Sequence, residues 1–382
     1  MRLALNAWFW DSPTTGTGQY TRRLVEGLVD LDQDLDLDLI LVVPSEREGK
    51  GERARLPPSC ALHPVSASRS NLGKVRFEQA AFPTACRRVE ADVAHVPYWA
   101  PPAWSPVPVL VTIHDLIPLL LPAYRGGPLQ RLYTALVTAT ARRATTVLTD
   151  SKASRRDILT ELSLPRERVR AIPLAADHRY GPQPGPNDAE VRAAYGLPDR
   201  YVLYLGGFDR RKNLAAVFAA YRRVGDAVGE AHPLVIAGRL PAEDTEFAPD
   251  PRRLMREEGV PDSFVHFTGS PPESHKPALY RGAAVFLFPS RYEGFGLPPL
   301  EAMACGTPVV GSEAASLPEI VGDAGILLPP DDAEGMADAL TQLLRDDSFR
   351  AEMGRRALER AAKFSWQRTA KMTLAAYRDA QD

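Results

Sequence analysis

Glu293 and Glu301, eight residues apart, carry the strongest chemical signal in this sequence. They stand in Arg291-Tyr-Glu-Gly-Phe-Gly-Leu-Pro-Pro-Leu-Glu301, on either side of a glycine-rich turn (Gly294, Gly296). The apolar run Val285–Phe288 before them reads as a strand. Pro298 and Pro299 suit the first turn of a helix, where a missing N–H costs nothing. Glu301 then falls about one turn into that helix. Helical side chains tilt toward the N-terminus, so its carboxylate points back to the mouth of the turn. A carboxylate there can accept hydrogen bonds from both hydroxyls of a ribose, and Glu293 can do the same for hydroxyls of a sugar. The helix start offers N–H groups and a positive dipole end to phosphate. The two prolines remove two of those donors and leave the amides of Gly296, Leu297 and Leu300. A helix N-terminus alone also favours glutamates, but the glycines and prolines around them argue for a binding turn.

A second signal is Gly206-Gly-Phe-Asp-Arg-Arg-Lys-Asn213, which follows the apolar run Tyr201–Leu205. It opens a helix, with Asn213 as the expected N-cap. Arg211 and Lys212 should face the same cleft as the glutamates, and Arg210 should be solvated. Paired cations suit a diphosphate leaving group, whose departing charge they neutralise without an acid catalyst. A basic loop in water is the plainer alternative. His114 ends the run Val109–Ile113. It reads either as a satisfied core histidine or, at the carboxyl end of a strand, as a ligand-facing one. Asp115 beside it contacts a hydroxyl or caps the turn.

Both signals need strands that end where ligands bind. Arg2–Ala7, Leu37–Val43, Val93–Val96, Val107–Ile113 and Thr146–Leu148 read as strands. Tyr20–Asp30, Leu129–Ala144 and Ser151–Glu161 read as helices between them, and Thr14–Gly18 as a Gly/Thr-rich loop. A second series begins after the Pro/Gly stretch Gly181–Pro186. Its strands are Tyr201–Leu205, Pro233–Ala237, Val265–Phe267, Val285–Phe288 and Pro308–Gly311. The alternation implies parallel βαβ units in an α/β protein. A last helix near Trp366–Ala380 follows the second series and is expected to pack back on the first. The expected division is residues 1–180 with 362–382 as an N-terminal domain, 181–199 as linker, and 200–361 as a C-terminal domain. A chain of 382 residues is long enough for two such cores.

Composition excludes several classes. A formal net charge of -2 gives no bulk attraction to nucleic acid. Cys60, Cys86 and Cys305 lack CxxC spacing, which argues against a disulfide framework or zinc site and for a reducing compartment. The opening run reads as a first strand rather than a signal peptide. No apolar run approaches the roughly 18 residues that span a membrane. The cytoplasm is therefore expected. Asp34-Leu-Asp36-Leu-Asp38 contains a D-x-D pattern of the kind that binds divalent metal. Its strict alternation with Leu35, Leu37 and Leu39 reads instead as a half-buried strand with acids on the wet face.

The two motifs, in this order, resemble the retaining glycosyltransferases of family 4, which have the GT-B fold. Further stretches agree. Glu301-Ala-Met-Ala-Cys-Gly-Thr-Pro-Val-Val310 followed by Leu317-Pro-Glu-Ile-Val321 is similar to the run after the family's second glutamate. Phe364-Ser-Trp366 resembles the signature before its terminal helix. Thr17-Gly-Gln-Tyr20 resembles its glycine loop, and Thr112-Ile-His-Asp-Leu116 its histidine motif. The resemblance spans nearly the whole chain, densest over 200–330 and weakest over 45–90.

It implies two Rossmann-like domains facing each other across a cleft, with the donor on the C-terminal one. Glu293 would hold donor-sugar hydroxyls, helped by Gly294 and the amides of Phe295, Gly296 and Leu297. Glu301 would bind the ribose, and Arg211 and Lys212 would clamp the diphosphate. His114 would lie near donor sugar and acceptor, and Gly16 and Gly18 would let the first loop approach both. Gly207 stands where many members carry Arg, so Arg211 must supply the guanidinium.

The implied reaction moves a hexose to a glycan or lipid-linked acceptor with retention and without metal or cofactor. No second carboxylate nucleophile is evident opposite Glu293, so front-face departure, in which the diphosphate helps deprotonate the acceptor, is the preferred mechanism. The His-Asp-Leu and Arg-Lys-Asn variants resemble mannosyltransferases of bacterial polysaccharides, so GDP-mannose is the first donor expected. UDP-glucose and UDP-N-acetylglucosamine are the alternatives, and a non-catalytic sugar-nucleotide sensor is the non-enzymatic one. The basic pairs Arg22/Arg23, Arg87/Arg88, Arg142/Arg143 and Arg155/Arg156 read as solvated helix faces rather than as contacts to an anionic membrane.

Overall fold

A computed structural model describes residues 1–12, 14–31, 37–45 and 57–381. Asp34 and Asp36 of the D-x-D pattern lie outside these. The chain divides into two compact units, Met1–Leu174 with Ser365–Asp382, and Ala175–Phe364.

The first unit is built on a seven-stranded sheet in the order β3-β2-β1-β4-β5-β6-β7. The strands are β1 (Arg2–Asn6), β2 (Asp38–Pro44), β3 (Cys60–Val65), β4 (Val93–Val96), β5 (Val109–Thr112), β6 (Thr146–Thr149) and β7 (Val169–Ala171). All neighbours are parallel. β4, β5 and β6 are buried along their whole length. Such continuous apolar runs are what a sheet covered on both faces requires. The strand order reverses between β1 and β4, and ligands of parallel sheets collect at the carboxyl ends of strands beside such a reversal.

Thr17-Gly-Gln-Tyr20 is not a loop. The helix starts at Gly16 and runs to Leu31, burying Tyr20, Leu24, Val25 and Leu28. Its first turn is fixed by Thr15, whose hydroxyl accepts from the Gly18 amide at 3.1 Å. A Cβ at Gly18 would sit 2.0 Å from the Ser12 carbonyl oxygen, whereas one at the exposed Gly16 would meet nothing within 4 Å. Gly18 is therefore required by packing inside this unit. Gly18→Ala is expected to lower unfolding stability by about 1–3 kcal/mol. Gly16→Ala should change it by less than about 0.5 kcal/mol. Denaturant melts of the two variants check this, and loss of activity in the stable Gly16→Ala would then report ligand approach.

The terminal helix Trp366–Gln381 belongs to this unit and packs on the first helix at Gly27, where a Cβ would lie 3.1 Å from Ala370 Cβ. Three of the arginine pairs contribute to the fold. Arg22 donates to the Trp10 carbonyl, Arg142 to that of Leu162 and Arg155 to that of Val169.

The second unit has a six-stranded parallel sheet in the order β10-β9-β8-β11-β12-β13. Its strands are β8 (Tyr201–Leu205), β9 (Leu234–Ala237), β10 (Val265–Gly269), β11 (Ala283–Phe288), β12 (Val309–Ser312) and β13 (Ile326–Leu328). Here the order reverses between β8 and β11, both fully buried. Residues 181–199, expected as linker, contain a helix, Asp188–Ala194. Arg281 holds Asp188 bidentately at 2.7 and 2.6 Å, and that guanidinium keeps the Asp188 carboxyl below its ordinary range. The stretch is a folded part of the second unit rather than a tether. Among the described residues, no helix is long and apolar enough to cross a membrane.

Candidate functional site

In the second unit both sequence motifs leave the carboxyl ends of β8 and β11, the two strands beside the reversal. This juxtaposition follows from topology. β8 and β11 are far apart in sequence but pair directly, Val202 opposite Val285. The loops that follow them therefore meet. Glu293 Oε1 accepts from Lys212 Nζ at 2.7 Å and from Ser290 Oγ at 2.5 Å, and lies 2.9 Å from Arg211 Nη1. Arg211 also donates to the Tyr292 carbonyl at 2.8 Å. The Lys212 ammonium sits 5.0 Å over the Phe288 ring. These three side chains are only 11–12% exposed. Burial alone would raise the Glu293 carboxyl, but Lys212 and Arg211 outweigh it and hold the group below its usual range. The site thus presents two largely covered cations sharing one buried carboxylate.

The turn between the glutamates is held from behind. The buried Ser316 hydroxyl lies within reach of the Glu293 carbonyl at 2.9 Å and the Phe295 carbonyl at 2.5 Å. Gly296 has φ +110°, which favours glycine, and a Cβ there would press Leu317 at 2.9 Å. The helix Leu297–Ala304 follows, with both prolines in its first turn. The Leu300 amide, expected to be available to phosphate, donates instead to the Gly296 carbonyl. Among the described residues, no hydrogen bond engages the amides of Phe295, Gly296 or Leu297.

Glu301 lies one turn into that helix and is 9% exposed. It accepts from the Tyr280 hydroxyl at 3.0 Å. Burial pushes its carboxyl up to about 7, partly offset by Lys276 and the Tyr280 hydroxyl.

Asn213 stands at the expected N-cap position of the helix Leu214–Val224, but at φ +56° its side chain does not cap it. Its amide instead donates to the carbonyls of Pro289 (3.2 Å) and Pro330 (2.6 Å) and its oxygen accepts from Arg291, tying three loops behind the cations. The Gly207 carbonyl accepts from the Tyr204 hydroxyl at 2.6 Å. Arg210 is exposed and paired with Glu246, as expected of a solvated residue.

In the first unit, His114 Nδ1 lies 2.7 Å from Asp150 Oδ2, and the Tyr20 ring meets the imidazole edge-on at 4.8 Å. His114 Nε2 is closed off from solvent. Burial pulls the imidazole down, but Asp150, Asp115 and the Pro97 carbonyl together raise it above its ordinary value. The Asp115 carboxylate caps the Ile117 amide at 3.0 Å. Ser290, Ser316, Tyr280 and Asp150 escaped the sequence reading because none sits in a recognisable spacing. Asp150 had one usable signal, since it follows β6 as His114 follows β5.

The sequence matches the family described as glycosyl transferases group 1 over residues 188–360, and a glycosyl transferase 4-like domain over 15–175. It is 34% identical to O-antigen chain mannosyltransferase B of Escherichia coli over 70% of each chain. It is 30% identical to the serotype-specific mannosyltransferase WbdA of Escherichia coli over 80% of this chain, and spans only 39% of that longer relative. Sucrose-phosphate synthase from Thermosynechococcus elongatus shares the fold, with a TM-score of 0.75 at 24% identity over 99% of this chain and 98% of that one.

Proposed function

Because this chain belongs to the glycosyl transferases group 1 family and is a glycosyltransferase of the GT-B fold, we propose that it moves a hexose, first mannose, from a nucleotide diphosphate sugar to a hydroxyl of a glycan or lipid-linked glycan. The observation that carries this reading is the Glu293–Lys212–Arg211 cluster at the carboxyl ends of β8 and β11. Lys212 and Arg211 take the diphosphate, and the amides of Phe295, Gly296 and Leu297 lie at the adjoining helix start. Glu293 accepts from donor-sugar hydroxyls and Glu301 from the ribose. His114 and Gly16, both of the first unit, serve the donor sugar and the acceptor. Mannose is favoured because the relatives above are named mannosyltransferases. Two largely covered cations support metal-free departure, since they supply the charge that a divalent ion otherwise brings. The bond from the anomeric carbon to the diphosphate breaks as the acceptor oxygen bonds on the same face. The acceptor proton passes to the leaving diphosphate, and configuration is retained. A lipid-linked acceptor would bring the protein to the inner face of the cell membrane.

A thermal-shift screen against GDP, UDP, ADP and their sugar conjugates, with and without Mg²⁺, tests the donor. A ligand at about 100 times its Kd stabilises the fold by roughly 2.7 kcal/mol. A GDP-selective shift independent of Mg²⁺ is expected. A UDP-selective shift would retain the transferase and discard mannose. Binding without turnover over a broad acceptor panel would favour a sensor.

Glu301 adds a pH signature. Its carboxyl must be ionised to accept two ribose hydroxyls, and it titrates at about 7. Affinity should therefore rise from pH 6 to 8, by at most tenfold per pH unit below that value. The same raised carboxyl makes the empty fold lose stability as pH rises through 7. Glu301→Gln should flatten the affinity profile, and an unchanged slope in that variant would remove Glu301 from the ribose.

A further inference from the structure

The three donors around the Glu293 carboxylate all reach the same oxygen. Lys212 Nζ lies 2.7 Å, Ser290 Oγ 2.5 Å and Arg211 Nη1 2.9 Å from Oε1. Among the described residues no hydrogen bond engages Oε2, and that atom is not closed off from solvent. The carboxylate is therefore divided. Oε1 answers the two cations from within the protein, and Oε2 keeps its lone pairs for a group from outside. An ionised carboxyl oxygen accepts and cannot donate, so whatever meets Oε2 must bring the hydrogen.

Ser290 stands two residues beyond β11 and is fully buried. Its backbone is fixed on both sides. The Pro289 carbonyl accepts from the Asn213 amide at 3.2 Å, and the Ser290 carbonyl accepts from the Ser312 hydroxyl of β12. The Ser290 Oγ also lies 3.2 Å from the Arg211 carbonyl and 3.3 Å from that of Tyr292. Those carbonyls already accept from the Arg291 amide and the Arg211 guanidinium. A hydroxyl has one proton, and the nearest, charged acceptor takes it. Lys212 and Arg211 end on long stems that can follow the carboxylate. The short Ser290 side chain cannot, so it sets where Oε1 rests.

We infer that Ser290 is the positioning residue of Glu293: its hydroxyl pins Oε1 beside Lys212 and Arg211, so that Oε2 alone faces the hydroxyls of the donor sugar. The inference rests on the reading that Glu293 accepts from those hydroxyls. It adds which oxygen meets the sugar and what holds it there. One carboxylate oxygen has two lone pairs and can accept from two neighbouring hydroxyls, so Oε2 suffices. The division also leaves the cations their counter-charge while the sugar is bound. Glu293→Gln should upset it. Its amide oxygen must turn to the three donors, which leaves the NH₂ group facing the sugar, donating where the carboxylate accepted.

The test uses the full chain and compares the Kd of GDP with that of GDP-mannose, or of UDP with UDP-glucose where the thermal-shift screen selects uridine. The ratio of the two isolates what the sugar contributes. In Ser290→Ala that contribution should fall about 3- to 10-fold and kcat about 10- to 100-fold, while the nucleotide alone binds within about threefold of wild type. A merely structural role would weaken both ligands alike, and an unchanged ratio in Ser290→Ala would overturn the assignment. Glu293→Gln should lower the ratio as well. A ratio lowered by Glu293→Gln but not by Ser290→Ala would overturn Ser290 alone. A ratio that Glu293→Gln leaves unchanged would overturn the reading beneath it, that Glu293 touches the sugar. No binding of any nucleotide would overturn both. If Ser290→Ala does not fold, Ser290→Cys decides through the same ratio, since it keeps the shape with a weaker donor.

Discussion

Lys212→Ala is expected to lower kcat about 100- to 1000-fold, the range seen when one preorganised charge-stabilising group is removed from an active site. In the proposed reaction, negative charge accumulates on the diphosphate as the sugar departs. The Lys212 ammonium is 11% exposed and lies over the Phe288 ring, so little water screens it. Its attraction to the leaving group grows as that charge grows, so the loss should fall on kcat more than on donor KM. Arg211→Ala should behave differently. Its guanidinium also donates to the Tyr292 carbonyl, so removal loosens the glutamate turn and raises KM as well. Initial rates of nucleotide diphosphate release, with donor varied at saturating acceptor, separate the two patterns. A Lys212→Ala enzyme with unchanged kcat and raised KM would mean that Lys212 binds ground state and transition state alike.

Much of this was legible in the sequence because the relevant signals are local. Apolar runs such as Tyr201–Leu205 and Val285–Phe288 became fully buried strands, since a sheet covered on both faces demands continuous hydrophobicity. Right-handed crossovers then bring the loops after them together without any long-range information. The departures share a different cause. Gly18 looked like a flexible loop, but the carbonyl of Ser12 forbids a side chain there, a contact that no spacing reveals. Asn213 had the residue type of a cap, but two proline carbonyls from other loops compete for its amide. Residues 188–194 looked like tether because the ion pair that folds them, with Arg281, lies 93 residues away. Ser316 braces the glutamate turn through main-chain carbonyls, which any residue type provides. Tertiary hydrogen bonds to backbone leave no sequence pattern, and these account for most of what sequence alone missed around the glutamates.

Glu293→Ala is expected to cost about 3–5 kcal/mol of unfolding stability near neutral pH, the usual effect of stripping one partner from a buried ion pair. It leaves the Lys212 ammonium and the Arg211 guanidinium buried, with Asp209, 3.4 Å from Arg211 Nε, as the remaining nearby carboxylate. Glu293→Gln should cost less, because it keeps an oxygen for Lys212 and the Ser290 hydroxyl and loses only the charge. The pH dependence has a definite sign. The Glu293 carboxyl is held below its ordinary range, so its contribution is present above the unfolded carboxylate pKa, about 4.3, and is lost as pH falls through the lower folded value. The wild-type and Ala curves should therefore converge in acid. In the proposed donor complex the same two cations also face a diphosphate. GDP should then raise the thermal midpoint of Glu293→Ala more than that of wild type, because it supplies the missing negative charge, while turnover is lost with the contact to the sugar hydroxyls. A smaller GDP shift in the variant would mean that the phosphates do not reach Lys212 and Arg211. A larger shift would make Glu293 both a ligand of the sugar and the counterion that holds the phosphate cations in place before the donor arrives.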